Sequence, residues 1–87
     1  MAVYVDEPVW EWRGRRWCHL LADGDEELHA FAAALGVPRR GFQHSPQRPW
    51  KDHYDIPEEI RAQAVAAGAL EVDLRQVAAL VKARRIA

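Results

Sequence analysis

Along the chain, short continuous apolar runs alternate with stretches in which apolar residues recur every three or four positions. Residues 2–5 form a β-type run closed by Asp6, Glu7 and Pro8, which predicts a first strand. Residues 9–16 mix Trp10 and Trp12 with Arg13, Arg15 and Arg16 around Gly14, a composition suited to an ordered connection or hairpin rather than a helix. Residues 17–22 are almost wholly apolar and of strand length, so they read as a central strand covered on both faces.

The period then changes. Leu28, Phe31, Ala32 and Leu35 fall at i, i+3, i+4 and i+7, giving one apolar stripe, and Asp23 with Glu26 forms a capping-box pattern ahead of it. Gly36 offers a left-handed exit and Pro38 blocks resumption, so a helix is predicted over 23–36. Residues 37–52 are irregular and contain Pro46 and Pro49; long loops of this kind in small domains are mobile or functional. Residues 53–56 read as a short strand. Pro57 opens a helix running to Ala67 with Gly68 as its terminator, and Ile60, Ala64 and Ala67 face the core. Residues 69–72 read as a strand, and Asp73 with Gln76 repeats the capping pattern before a last helix striped by Leu74, Val77, Ala78 and Val81. Helices alternating with short strands predict right-handed crossovers. The expected fold is therefore a single α/β domain over residues 1–87, with a small, mostly parallel sheet of about four short strands and three helices.

Composition narrows the setting. With 87 residues the chain is sized for one core, and 49% hydrophobic content with four tryptophans is enough to build it without a structural cofactor. Cys18 is the single cysteine, so no intramolecular disulfide is available, and no charged-then-apolar leader precedes the first strand; both fit a cytoplasmic setting. No apolar run is long enough to cross a bilayer, so no membrane partner is expected. The N-terminal tryptophans would be economically covered in a homodimer. A net charge of −1 gives no global case for nucleic acid. Locally, Arg39, Arg40, Arg48 and Lys51 stand without an acid among them.

Three groups of residues could carry chemistry. In a parallel sheet, Asp6, Asp23, Asp55 and Asp73 would all lie at strand C-terminal ends, where open sheets place their sites. Carboxylates gathered there suit a divalent ion such as magnesium, with Asp6 and Asp23 as candidate ligands. Helix capping is the simpler reading of Asp23 and Asp73, whose capping partners are present. The second group is histidine-based. His53 and Asp55, two apart on a strand, point to one side, and with His19 they make a candidate acid/base cluster. A lone strand histidine is more often a hydrogen-bonded core residue. A structural zinc site is disfavoured, because Cys18 and His19 face opposite sides of a strand and no paired Cys or His spacing is present. Asp25, one turn from His29, explains that residue as a surface pair. Third, Arg39, Arg40, Phe42, Arg48, Trp50 and Lys51 interleave cations with rings, a pattern able to hold phosphates and stack bases. Its bland counterpart is arginine stacking on aromatic residues that cover a sheet edge.

Val3-Tyr4-Val5-Asp6, Trp17-Cys18-His19-Leu20-Leu21-Ala22-Asp23, Glu27-Leu28-His29-Ala30-Phe31-Ala32, Arg39-Arg40-Gly41-Phe42-Gln43, His53-Tyr54-Asp55-Ile56 and Gly68-Ala69 follow one another through most of the chain. In that order they resemble the domain-of-unknown-function 4031 family of short bacterial and phage proteins. The resemblance implies a common fold and no assigned activity. It places His19, Asp23, His29, Gln43, His53, Tyr54 and Asp55 within the family's characteristic motifs.

The expectation that follows is a small α/β domain that binds or hydrolyses a phosphate-containing ligand, nucleotide or nucleic acid, with a divalent metal ion as candidate cofactor. His19, His53 and Asp55 would be its reactive group, and Arg39, Arg40, Gln43 and Tyr54 its ligand-binding residues. The competing expectations are a non-catalytic nucleic-acid-binding module and a structural or regulatory homodimer.

Overall fold

The long apolar strand is entered through a tight hairpin from the tryptophan segment before it, rather than through a crossover from the first strand, and that connection sets the sheet. The computed structural model of the protein describes residues 2–86. Strand β1 is Val3–Val5, β2 is Trp10–Trp12 and β3 is Arg15–Ala22. Arg13 and Gly14, with φ of 52° and 72°, form the two-residue turn between β2 and β3. Positive φ at both positions is what a right-twisted hairpin requires. Helix α1 spans Asp25–Ala34, a 3-10 turn follows at Arg39–Gly41, and β4 is Phe42–Gln43. A second 3-10 turn at Pro49–Lys51 leads to β5, His53–Pro57. Helix α2 is Glu58–Ala66, β6 is Leu70–Glu71 and α3 is Leu74–Ile86.

The sheet is mixed, with six strands in the order β4-β5-β3-β1-β6 and β2 paired to β3. Among the described residues only β1 and β6 run parallel; β1–β3, β2–β3, β3–β5 and β4–β5 are antiparallel. The expectation of a mostly parallel sheet of four strands is corrected accordingly, while the α/β class and the three helices stand. The physical reason lies in the connections. The hairpin forces β2 and β3 antiparallel, and the segment after α1 returns through β4 to enter β5 against β3 instead of alongside it. Because β3 runs against β1, Asp23 falls at the edge opposite Asp6, and Asp55 lies inside β5 opposite His19 rather than at a strand end, so the expected gathering of Asp6, Asp23, Asp55 and Asp73 does not occur.

Strand alternation divides the sheet into two faces. Val3, Val5, Cys18, Leu20, Ala22, Tyr54 and Ile56 point to one face and pack against Leu28 and Ala32 of α1 and Ala64 of α2. Both of these helices end in a left-handed glycine, Gly36 with φ of 79° and Gly68 with φ of 111°, and the next residues, Val37 and Ala69, donate back to Ala32 and Ala64. The start of α1 departs from its expected cap. Gly24 is the N-cap and Asp23 accepts instead from the Ala2 N–H and the Tyr4 hydroxyl, both at 2.9 Å. The Asp73–Gln76 capping box of α3 forms reciprocally, at 2.8 and 2.9 Å.

The other face carries Trp17, His19, Leu21, His53 and Asp55, and α3 stands over part of it. No residue of α3 is fully buried. It is fastened at its C-terminal end, by Arg84 to Asp25 at 2.9 Å and by Arg85 over the Trp50 ring at 5.3 Å. Among the described residues, no helix is long and apolar enough to cross a membrane.

A candidate metal centre on the open face of the sheet

His19 and Asp55 are direct cross-strand partners in the β3–β5 ladder, and His53 lies two residues before Asp55 on the same face. Cross-strand neighbours on one face sit close enough for their side chains to meet. One ligand atom from each of His19, His53 and Asp55 lies within 4.8 Å of the others. The sheet has thus brought together the three residues singled out from the sequence as a reactive cluster.

Each imidazole is held from behind. The gap on the edge of β3 between β1 and β2 is filled by Asp6, only 1% exposed. One carboxylate oxygen of Asp6 accepts from the His19 backbone N–H at 2.7 Å, and the other meets His19 Nδ1 at 2.6 Å. Arg61 on α2 pins the same corner, donating through Nε to the Asp6 carbonyl at 2.8 Å. His53 Nδ1 donates to the Lys51 carbonyl at 2.8 Å. A carboxylate and a carbonyl only accept, so both rings carry their proton on Nδ1 and present Nε2 as the free nitrogen. Metal-ligating histidines are oriented by this arrangement.

Asp55 completes the set. Its Oδ1 is 3.2 Å from His53 Nε2, within ion-pair range, yet that buried oxygen accepts no hydrogen bond among the described residues. A buried carboxylate oxygen without a donor calls for a cation or a proton. A proton on His53 Nε2 would compete with a cation for that oxygen. Burial works against the imidazolium, but Asp55 and the Lys51 carbonyl outweigh it, and the His53 pKa is raised above 6.5.

Rings enclose the cluster. His19 lies 4.8 Å from Trp10 on one side and 4.8 Å from His53 on the other, centroid to centroid. Trp10 is placed there by its pairing with Trp17, and Trp17 donates through Nε1 to the Trp12 carbonyl at 2.9 Å. Two clefts flank the site. One, of about 340 Å³, runs between the tryptophan hairpin and Gly41, Gln43 and Asp55. The other, of about 640 Å³, lies between the sheet and α3, with His19 and His53 in its floor and Lys51, Lys82 and Arg85 among its walls.

The remaining sequence candidates fall elsewhere. Gln43 pairs with His53 across β4–β5 and borders the smaller cleft. Arg39 and Arg40 sit on the exposed 3-10 turn, and Arg40 borders a third groove that Asp55 also touches. Tyr54 points to the closed face, where its hydroxyl bonds His29 Nδ1 at 2.7 Å; burial raises its pKa, against the charge of Arg39. His29 is therefore a core partner and not one half of a surface pair with Asp25. Asp6 reaches the cluster through His19, and Asp23 is bound to Ala2 and Tyr4.

Several contributors were invisible in the pattern of residues. The backing carbonyl of Lys51 has no sequence signal at all. Asp52, fully buried, accepts from His44 Nδ1 at 2.8 Å and the Ser45 N–H at 3.1 Å, and so ties the irregular segment to the start of β5. Lys82 and Arg85 lie outside every group singled out from the sequence, and only the placement of α3 brings them to the cleft.

A family model described as a protein of unknown function (DUF4031) matches residues 3–84. The chain belongs to that family. For this DUF4031 member, no match was found among curated proteins or among solved structures.

Proposed function

We propose that this protein is a divalent-metal protein whose His19, His53 and Asp55 bind one ion, and that the ion serves the binding and hydrolysis of a phosphate-containing ligand. One observation carries the reading: a buried, undonated carboxylate oxygen beside two imidazoles whose Nδ1 atoms are both fixed by acceptors. Two nitrogens and one carboxylate favour a first-row transition ion, such as zinc, manganese or iron, over magnesium, which prefers an all-oxygen shell. Three protein ligands leave coordination positions for water and for a ligand oxygen. An ion so held would polarise a phosphoryl oxygen and lower the pKa of bound water. The residues of the chain would do the rest: Asp6 holds the His19 ring, the Lys51 carbonyl holds the His53 ring, and Trp10 shields His19 from solvent.

Calorimetric titration of the chelator-treated protein with Mn²⁺ and Zn²⁺ tests the reading. One ion per chain should bind, and His53→Ala should weaken that binding at least about a hundredfold. A wild-type chain that binds neither ion, or a variant that binds as well as wild type, removes the proposal. A second reading, metal-free acid/base catalysis, draws on the raised pKa of His53 between two acceptors. Phosphate-ester hydrolysis that survives exhaustive chelation would favour it.

A further inference from the structure

The apolar stripe of α3 does not close onto the sheet. Val77, Ala78 and Val81 instead face Leu21 across the larger cleft, and Leu74 at its mouth remains 67% exposed. A helix that buried this stripe would have been the ordinary outcome. The cleft left between helix and sheet, about 640 Å³, is of the size that holds small molecules. Its walls have two chemical characters. Lys51, Lys82 and Arg85 bring three cations, none of which forms an ion pair with a carboxylate among the described residues, and no acid lines the cleft. The rest is apolar. The floor opens onto His19 and His53.

We propose that this cleft is the binding site of a nucleoside di- or triphosphate, with its polyphosphate held by Lys51, Lys82 and Arg85 and its base against Leu21, Val77 and Val81. The inference rests on the metal reading above in one respect: it sets the phosphates beside the ion. Three cations beside a divalent ion exceed what a single phosphate ester needs and match a polyanion. The apolar wall suits a flat, weakly solvated base. A polynucleotide fits less well, because the net charge is −1 and Arg39 and Arg40 lie on a separate turn, so the cations form a cluster and not a track.

Binding of inorganic pyrophosphate, of the four common nucleoside triphosphates and of a ten-nucleotide single strand to the Mn²⁺-loaded full chain provides the test. Tryptophan fluorescence and calorimetry are the readouts. Pyrophosphate should bind, and Lys82→Ala with Arg85→Ala should weaken it at least tenfold; both side chains are exposed and the Arg84–Asp25 contact still fastens α3 when the Trp50 contact of Arg85 is lost, so circular dichroism of the double variant should match wild type. At least one triphosphate should bind tenfold or more tighter than pyrophosphate, and Val77→Asp should erase that margin. Equal binding of pyrophosphate by wild type and the double variant overturns the inference while leaving a measured Mn²⁺ site intact. Tighter binding of the single strand than of any triphosphate also overturns it. If Mn²⁺ fails to bind but pyrophosphate still depends on Lys82 and Arg85, the metal reading falls and the anion cleft stands.

Discussion

The two faces of the β3–β5 pair are made by adjacent residues and behave as different materials. On β5, His53 and Asp55 look into the open clefts, whereas Tyr54 and Ile56, between and beside them, are at most 1% exposed in the core. On β3, His19 alternates with Cys18 and Leu20 in the same way. One face is closed by two helices whose small residues allow close approach; the other meets a helix with no fully buried residue. The sheet therefore keeps the packed core apart from the proposed metal site, residue by residue. Substitutions on the closed face should act on folding, and those on the open face on binding.

The largest expected effect lies on the closed face. Ile56→Ala removes buried methyl groups from a site surrounded by core residues and should lower unfolding free energy by about 2–5 kcal/mol. Its neighbour Asp55→Ala should change stability by no more than about 1 kcal/mol while abolishing metal binding. Urea unfolding of both variants, with Mn²⁺ titration of each, checks the pair. Similar losses of stability from the two would mean that the open face is part of the core after all.

The two faces meet at Asp6, which is buried like a core residue yet holds the His19 ring. In Asp6→Asn the remaining oxygen can still accept from the His19 N–H, but an amide NH₂ turned toward Nδ1 would reverse the tautomer and put the proton on Nε2. Metal affinity should fall about 10–100-fold with little loss of stability. Asp6→Ala should add to this a stability loss of about 1–3 kcal/mol, because a buried N–H is left without an acceptor. Equal metal affinity in wild type and Asp6→Asn would show that His19 needs no orienting partner.

The three helices and the strands β1, β3, β5 and β6 could be read from the sequence because each announces itself locally: the apolar run of 17–22, the stripe through Leu28 and Leu35, the glycine exits; the two-residue β4, inside a stretch read as irregular, could not. Strand direction could not be read in that way. It depends on the Arg13–Gly14 turn and on how residues 37–52 return to the sheet, and neither leaves a periodic trace. The cluster His19, His53 and Asp55 survived that error because facing across a strand depends on i, i+2 alternation, which is the same for parallel and antiparallel neighbours. The carboxylate gathering did not survive, because it depended on direction. The Lys51 carbonyl and the cations of α3 belong to tertiary placement, which no residue type encodes.

Cys18 offers a smaller test of the closed face. Burial first, and then the charge of Asp6, push its pKa up to about 12, so the thiolate is scarce at any ordinary pH. Native protein at pH 8 should resist a thiol-directed reagent for as long as it stays folded, and react promptly in denaturant. Prompt reaction of the native protein would show that the face covered by α1 and α2 opens readily.

The smallest expected effect is on the hairpin that carries Trp10 to His19. Arg13 holds a φ of 52°, a conformation that costs a side-chain-bearing residue roughly 1 kcal/mol, and Asn tolerates it best in this kind of turn. Arg13→Asn, followed by Gly14, should therefore stabilise the protein by up to about 1 kcal/mol in thermal or urea unfolding, even though it removes a guanidinium resting 4.4 Å from the Trp12 ring centroid. That contact is solvent-exposed and weak, so turn geometry should prevail. The substitution lies on the open side of the molecule but touches neither the ion ligands nor the larger cleft, so Mn²⁺ affinity should be unchanged. A loss of stability would show that the arginine–tryptophan contact matters more than the backbone; a change in metal affinity would show that the hairpin positions His19 as well as covering it.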